Sequence, residues 1–223
     1  MPERTALITG ASRGIGRAIA AQYCNSGYRV LAPTRAELDL SSRESIASFV
    51  SDPNNSAVDV LVNNAAENPI ASIESLPLDT FQRCLDVNLS APLQLIQALV
   101  PHMRAQGWGR IVNLSSCYAT VSRQGRASYG AAKAGLNSLT RTACLELAPS
   151  GVLVNSICPG FVSTELTYRN NSPQQIEAIC SDIPLGRLAS PEEIASFVYF
   201  LGSEANTYIT GQTLIIDGGF LCQ

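Results

Sequence analysis

The stretch Thr5-Ala-Leu-Ile-Thr-Gly-Ala-Ser-Arg-Gly-Ile-Gly16, continuing as a helical pattern to Asn25, decides how the chain is read. Its first five residues favour a β-strand, and they lead straight into glycines at positions 10, 14 and 16. Gly10 allows a tight turn. Gly14 and Gly16 let the backbone approach a bound pyrophosphate, and the helix opening there offers unpaired N–H groups and a positive potential. A glycine triplet between a strand and a helix is the context such a phosphate loop needs, although the spacing here is Gly-xxx-Gly-x-Gly rather than Gly-x-Gly-xx-Gly.

Outward from that loop, short β-rich runs alternate with longer helical patterns to the end of the chain. Strands are expected at Thr5–Thr9, Arg29–Ala32, Val58–Asn63, Arg110–Leu114, Val152–Ile157 and Thr213–Ile216. Helices are expected at Gly14–Asn25, Ser42–Val50, Asp79–Met103, Tyr129–Leu147 and Pro191–Leu201, the last opened by Ser190 as N-cap with Glu193 completing a capping box. The pattern predicts an α/β fold, a doubly wound Rossmann-type parallel sheet with helices on both faces. No repeat or Gly/Ser linker interrupts it, so residues 1–223 are expected to form a single domain. The connection between the second and third strands is shortened. Only Pro33–Leu38 separate Ala32 from Asp39, too few for a helical crossover of about a dozen residues. Either Leu38–Leu40 is a vestigial strand joined by a loop or the sheet lacks that strand; the former is the expectation.

Composition excludes several classes. Of 223 residues, 46% are hydrophobic and 15% charged, which supports a large core and argues against disorder or a coiled coil. Fifteen Lys and Arg against 18 Asp and Glu leave a charge of −3 with no block of one sign, so no nucleic-acid partner is expected. The longest stretch free of charged residues, Val87–Met103, carries Asn88, Gln94, Gln97, two prolines and His102, and does not read as a membrane span. The first strand begins at Thr5, leaving no room for a signal peptide, so a cytoplasmic location is expected. Seven cysteines without a CxxC pair and a single histidine predict reduced thiols, no metal site and no Ser-His-Asp triad.

Four further segments sit where strands meet helices: Asn63-Asn-Ala-Ala66, Ser116 before Cys117, Tyr129-Gly-Ala-Ala-Lys133, and Pro159-Gly160. Together with the glycine loop they resemble the classical short-chain dehydrogenase/reductase family, over nearly the whole chain from Thr5 to Asp217-Gly-Gly219. The tail Ile183-Pro-Leu-Gly-Arg-Leu188, with Pro191-Glu-Glu-Ile194 and Tyr208-Ile-Thr-Gly211, is similar to 3-oxoacyl-carrier-protein reductases. Two departures stand out: Ala66 replaces the family's usual glycine, and the helix between the second and third strands is missing.

The resemblance implies an NADP(H) site. Gly10, Ser12, Arg13, Gly14, Ile15 and Gly16 would hold the pyrophosphate side, with Asn63, Asn64 and Ala65 lining the adenosine side. Asp39, followed by Leu40, resembles the aspartate that meets the adenine. An NAD-selective site places an acid on the ribose hydroxyls after the second strand; here Thr34 stands there, followed by Arg35, and Arg13 reaches the same region, so a 2′-phosphate is expected. Pro159, Gly160 and Val162 resemble the segment that meets the nicotinamide carboxamide, and Thr164 lies near the pyrophosphate. The polar segment Thr164–Asp182 is expected to form a mobile lid.

Tyr129 and Lys133, four apart on a helix, share one face. A free tyrosine is a poor acid–base group at neutral pH, and lowering its pKa by about three units takes roughly 4 kcal/mol of preference for the phenolate. A neighbouring ammonium and an oxidised nicotinamide could supply it. Ser116, 13 residues before Tyr129, is the expected donor to a substrate carbonyl oxygen, with Ser115 as competitor. Pro92 has no N–H for the carbonyl of Asn88, which could therefore hold a water linking Lys133 to solvent, and Asn88 matches the family's proton-relay asparagine. Cys117, Tyr118 and Gln124–Arg126 are expected to shape the substrate pocket.

The expected activity is reduction of a ketone by NADPH, with a 3-oxoacyl thioester as substrate and a place in fatty acid biosynthesis. Arg169 stands in the lid where a carrier-protein reductase would use a cation for the acyl carrier protein, but Gly107 occupies the other such position. Alternatives are a ketoreductase of a secondary-metabolite or xenobiotic ketone and, from another class, an NADP(H)-sensing protein without catalysis. The resemblance also implies a homodimer or homotetramer.

Overall fold

The computed structural model describes residues 4–222; residues 1–3 and 223 of the expected single domain lie outside that range. Six strands form one sheet in the order β2-β1-β3-β4-β5-β6: β1 Thr5–Ile8, β2 Arg29–Leu31, β3 Val60–Asn63, β4 Gly109–Leu114, β5 Val152–Pro159 and β6 Thr213–Ile216. Every pairing is parallel. Helix α1 (Gly14–Asn25) follows β1, and α2 (Arg43–Ser51) and α3 (Pro53–Ser56) precede β3. Then come α4 (Leu78–Leu85), α5 (Ala91–Gln106), α6 (Ala127–Leu147), α7 (Glu165–Asn170), α8 (Pro173–Asp182) and α9 (Pro191–Gly202).

The strands read as continuous apolar runs because both faces are covered. Leu7, Leu61, Ile111 and Val154 enter one core with the buried face of α5, while Ala6, Ile8, Val60, Val62 and Val112 enter a second core with α1 and α9. Alternate residues of a strand point to opposite faces, so one sequence run serves both layers.

Three expectations are corrected. The connection from β2 to β3 is neither short nor without a helix: α2 and α3 lie in it, between Leu31 and Val60. Leu38–Leu40 is not a strand: Pro33 is followed by a turn in which Glu37 accepts the Thr34 N–H at 2.7 Å, and Asp39 accepts the Ser41 N–H at 2.9 Å. These local bonds take the backbone away from any ladder, so β2 is the sheet edge. Asp79–Met103 is not one helix either. Pro92 cannot donate to the carbonyl of Asn88, and a π-helical turn, Asp86–Ser90, separates α4 from α5, with the Ala91 N–H reaching the Asp86 carbonyl.

The seven cysteines are free thiols, and no cluster of three or more metal-ligating side chains occurs among the described residues. His102 instead meets Asp59 at 3.3 Å, and Asp59 also accepts the Thr5 N–H at 2.8 Å. No helix among the described residues is long and apolar enough to cross a membrane.

Candidate active site

The winding of the sheet reverses between β1 and β3, and a cleft of about 360 Å³ opens at their carboxyl ends, where such a reversal leaves a crevice. The two strand ends are tied together there. Thr9 Oγ1 accepts the N–H groups of Asn64 and Ala65, both at 3.0 Å, while the Asn64 amide donates to the carbonyls of Thr9 and Gly10 at 2.9 and 3.1 Å.

The loop itself has the shape a dinucleotide needs. Gly10 has φ +68°, and a side chain there would lie 2.8 Å from the Ala65 Cα; a side chain on Gly16 would collide with the Gly10 carbonyl and the Asn64 amide. At α1 the N-cap Arg13 is extended and makes no side-chain cap bond, so the first-turn N–H groups face the cleft without a competing oxygen. A backbone cradle backed by uncapped N–H groups suits a pyrophosphate.

Of the residues expected to hold a cofactor, Gly10, Ser12, Arg13, Gly14, Ile15, Gly16, Asn64, Ala65, Tyr129, Lys133, Pro159, Gly160, Val162 and Thr164 line this cleft. Four do not. Asn63 is buried and donates at 2.8 Å to Asn113, inside the sheet. Leu40 packs against the core. Arg35 and Asp39 form the neighbouring rim, where Arg35 lies 3.9 Å from Asp39 and 4.0 Å from Glu67.

At the other end, β4 delivers Ser115 and Ser116, and α6 delivers Tyr129 and Lys133. Ser115 donates to the Lys133 carbonyl at 3.2 Å, and Lys133 Nζ donates to the Leu114 carbonyl at 2.6 Å, so strand end and helix are stitched together. Ser116 Oγ accepts the Tyr118 N–H at 3.2 Å and is left beside Tyr129, whose ionised form its hydroxyl favours. Lys133 is 1% exposed, and burial without a carboxylate lowers its pKa to about 8. Burial raises Tyr129 above the ordinary tyrosine range, and the Ser116 hydrogen bond and the Arg126 charge pull the other way. The Lys133 ammonium lies 5.5 Å from the Tyr129 ring centre.

Asn88 is fully buried in the π turn rather than in the cleft wall. Its amide donates to the carbonyls of Glu67 and Cys84, both at 2.8 Å, and its Oδ1 has no partner among the described residues. Glu67 is a residue the sequence reading passed over: its carboxylate is gripped by Arg83 at 2.8 to 3.2 Å, which fixes the loop whose carbonyl holds Asn88. An acid directly after Asn-Asn-Ala-Ala was the available signal. The lid segment Thr164–Asp182 folds into α7 and α8, capped by Thr164 and Ser172, and brings Leu166, Thr167, Asn170 and Asn171 to the cleft.

Residues 4–45 match the family described as short chain dehydrogenase, and residues 32–221 match that described as enoyl-(acyl carrier protein) reductase. The chain is 36% identical over 236 residues to a 3-oxoacyl-[acyl-carrier-protein] reductase of Vibrio harveyi, covering 97% of this chain and 96% of that one. A solved structure from Beutenbergia cavernae, assigned as an NAD(P)-dependent gluconate 5-dehydrogenase with NADP bound at low occupancy, superposes with a TM-score of 0.92 at 36% identity, covering 99% and 97% of the two chains. A 4-hydroxyisoleucine dehydrogenase complexed with NADH superposes with a TM-score of 0.93 at 29% identity, covering 99% and 100%. Six parallel strands, the glycine cradle and the paired Tyr129 and Lys133 agree with these matches, and the chain belongs to the short-chain dehydrogenase/reductase family, oxidoreductases that act on CH–OH and C=O groups with a nicotinamide cofactor.

Proposed function

We propose that this protein reduces a ketone to a secondary alcohol with NADPH, using Ser116, Tyr129, Lys133 and Asn88. The observation that carries the reading is the meeting of Ser116 and Tyr129 over a buried Lys133 at the end of the cleft away from the glycine loop. The bound cofactor supplies hydride to the carbonyl carbon. Ser116 Oγ donates to the carbonyl oxygen, stabilising the charge that develops there. Tyr129 gives that oxygen its hydroxyl proton; burial alone makes the phenol a weaker acid, and the Ser116 hydroxyl, the Arg126 charge and the positive charge a bound cofactor would gain on giving up hydride work against that rise. Lys133, with a pKa of about 8, is charged at neutral pH and can restore the proton to Tyr129. Asn88, held by Glu67 and Cys84, orients the inner end of that route.

NADPH is favoured over NADH by Arg13 at the cleft and by Arg35, 67% exposed and held only loosely by its two carboxylates, two cations set against the Glu37 carboxylate that rests on Thr34. The substrate is a ketone or its alcohol, with 3-oxoacyl thioesters the first to try because the Vibrio harveyi relative bears that name. An acyl carrier protein as donor and a homodimer or homotetramer go with this reading.

The test is loss of NADPH absorbance over a panel of ketones and acyl thioesters, with Tyr129→Phe as control. Turnover that falls at least about 100-fold in Tyr129→Phe is expected. Tight NADPH binding with no turnover of any ketone would instead favour a sensor.

A further inference from the structure

Beside Tyr129 the cleft carries two arginines that the reaction leaves unused, Arg123 and Arg126. Arg126 is the N-cap residue of α6, three positions before Tyr129 and so on the same face of the helix. Asn68 fixes its guanidinium by accepting from Nη1 through Oδ1 at 2.6 Å. Nε and Nη2 have no acceptor among the described residues, and neither arginine is in an ion pair with any described carboxylate. Arg123 donates to the Tyr118 hydroxyl at 3.2 Å, Arg126 lies 5.9 Å over the same ring, and Tyr118 packs edge-on against Tyr129 with centres 6.5 Å apart. The acid in the cleft wall, Glu165, follows Thr164, the residue packed against Gly14 at the glycine-loop end.

A half-buried guanidinium held through Nη1 alone by two neutral oxygens of Asn68, with Nε and Nη2 open, suits a bidentate carboxylate. Its place sets the reach. The Arg126 guanidinium lies 5.9 Å from the centre of the Tyr118 ring, which packs on Tyr129 with centres 6.5 Å apart, so an anion bound there sits beside the reacting carbonyl rather than at the far end of a long arm. The phosphate of a pantetheine arm is more than a dozen bonds away from the ketone of a thioester and would fall outside this reach.

We infer that the substrate carries a carboxylate two or three bonds from its ketone, a small oxo acid or the matching hydroxy acid, and that Arg126, assisted by Arg123, binds that carboxylate. This rests on the ketone-reductase reading above and sets an oxo acid in place of the acyl thioester named there as the first substrate to try.

The test compares acetoacetate and 2-oxobutanoate with their methyl esters, and both with acetoacetyl-CoA, in NADPH- and NADH-coupled assays on the full chain. Wild type should favour an acid over its ester by at least tenfold in kcat/KM. Arg126→Gln should lower kcat/KM for the acid 10- to 100-fold, mainly through KM, and at least tenfold more than for the ester, with Arg126→Lys retaining part of the preference. If Arg126→Gln does not fold, the wild-type ratio of acid to ester decides alone. Equal use of acid and ester, faster use of acetoacetyl-CoA than of either acid, or equal losses in Arg126→Gln would overturn the inference while leaving the ketone reductase standing. No turnover of any of them would overturn both.

Discussion

Lys133 shows what the cleft demands of a single residue. Its ammonium is buried, bonded to the Leu114 carbonyl and unpaired with any carboxylate among the described residues, and its pKa falls to about 8 from the usual 10.5. Between those two pH values the unfolded chain holds a proton that the folded chain has lost, so this residue's contribution to stability rises with pH across that window. At neutral pH the charge costs the fold roughly 3 kcal/mol by the size of the shift. Urea unfolding of wild type and Lys133→Met from pH 7 to 10.5 should show the variant's relative stability declining by up to about that amount as pH rises from 8; a constant gap would refute the burial account. The same group sets the activity profile. Under the proposed mechanism reduction needs Lys133 charged, so kcat should be level below pH 8 and fall above it, and stopped-flow rates across pH 6–10 would reveal it. The Tyr129–Lys133 spacing was plain in the sequence. The desolvation was not, because it depends on Leu114, Cys84 and Cys158 closing around the ammonium only after α4, β4, β5 and α6 assemble.

Among the elements, the π turn Asp86–Ser90 is where local and functional demands meet. Pro92 was legible as a missing donor to Asn88, but a proline can kink, break or widen a helix. The choice of a π turn reflects what holds Asn88: Glu67 and Cys84 carbonyls from two different segments accept its amide, and Arg83 anchors Glu67. Pro92→Ala restores the N–H that a regular helix needs at the Asn88 carbonyl. It should lower kcat about tenfold while the NADPH dissociation constant stays within about threefold, since the first is set at Asn88 and the second at the glycine loop. Single-turnover rates and fluorescence titration separate the two, and an unchanged kcat at every pH would refute the role of Asn88.

At the scale of the whole molecule, the turn that keeps Leu38–Leu40 out of the sheet leaves β2 as its edge, and beside that turn Arg35 is held only loosely by Asp39 and Glu67. Cofactor choice therefore rests on exposed groups. Arg35→Ala and Arg13→Ala should each reduce the preference for NADPH over NADH about tenfold, measured as a ratio of dissociation constants; a ratio unmoved in both would show that the rim does not read the 2′-phosphate. The sequence by itself determined the six strands, the glycine cradle and the face shared by Tyr129 and Lys133, because apolar period and residue spacing act over a few residues and need no partner. Only the tertiary structure decided that Leu38–Leu40 stays out of the sheet, that Ser116 rather than Ser115 faces Tyr129, that Lys133 is buried and that Arg126 is left with open donors beside the reacting tyrosine. Burial, hydrogen-bond partners and unpaired charge are properties of surfaces brought together from distant segments, and they do not exist until the chain has closed on itself.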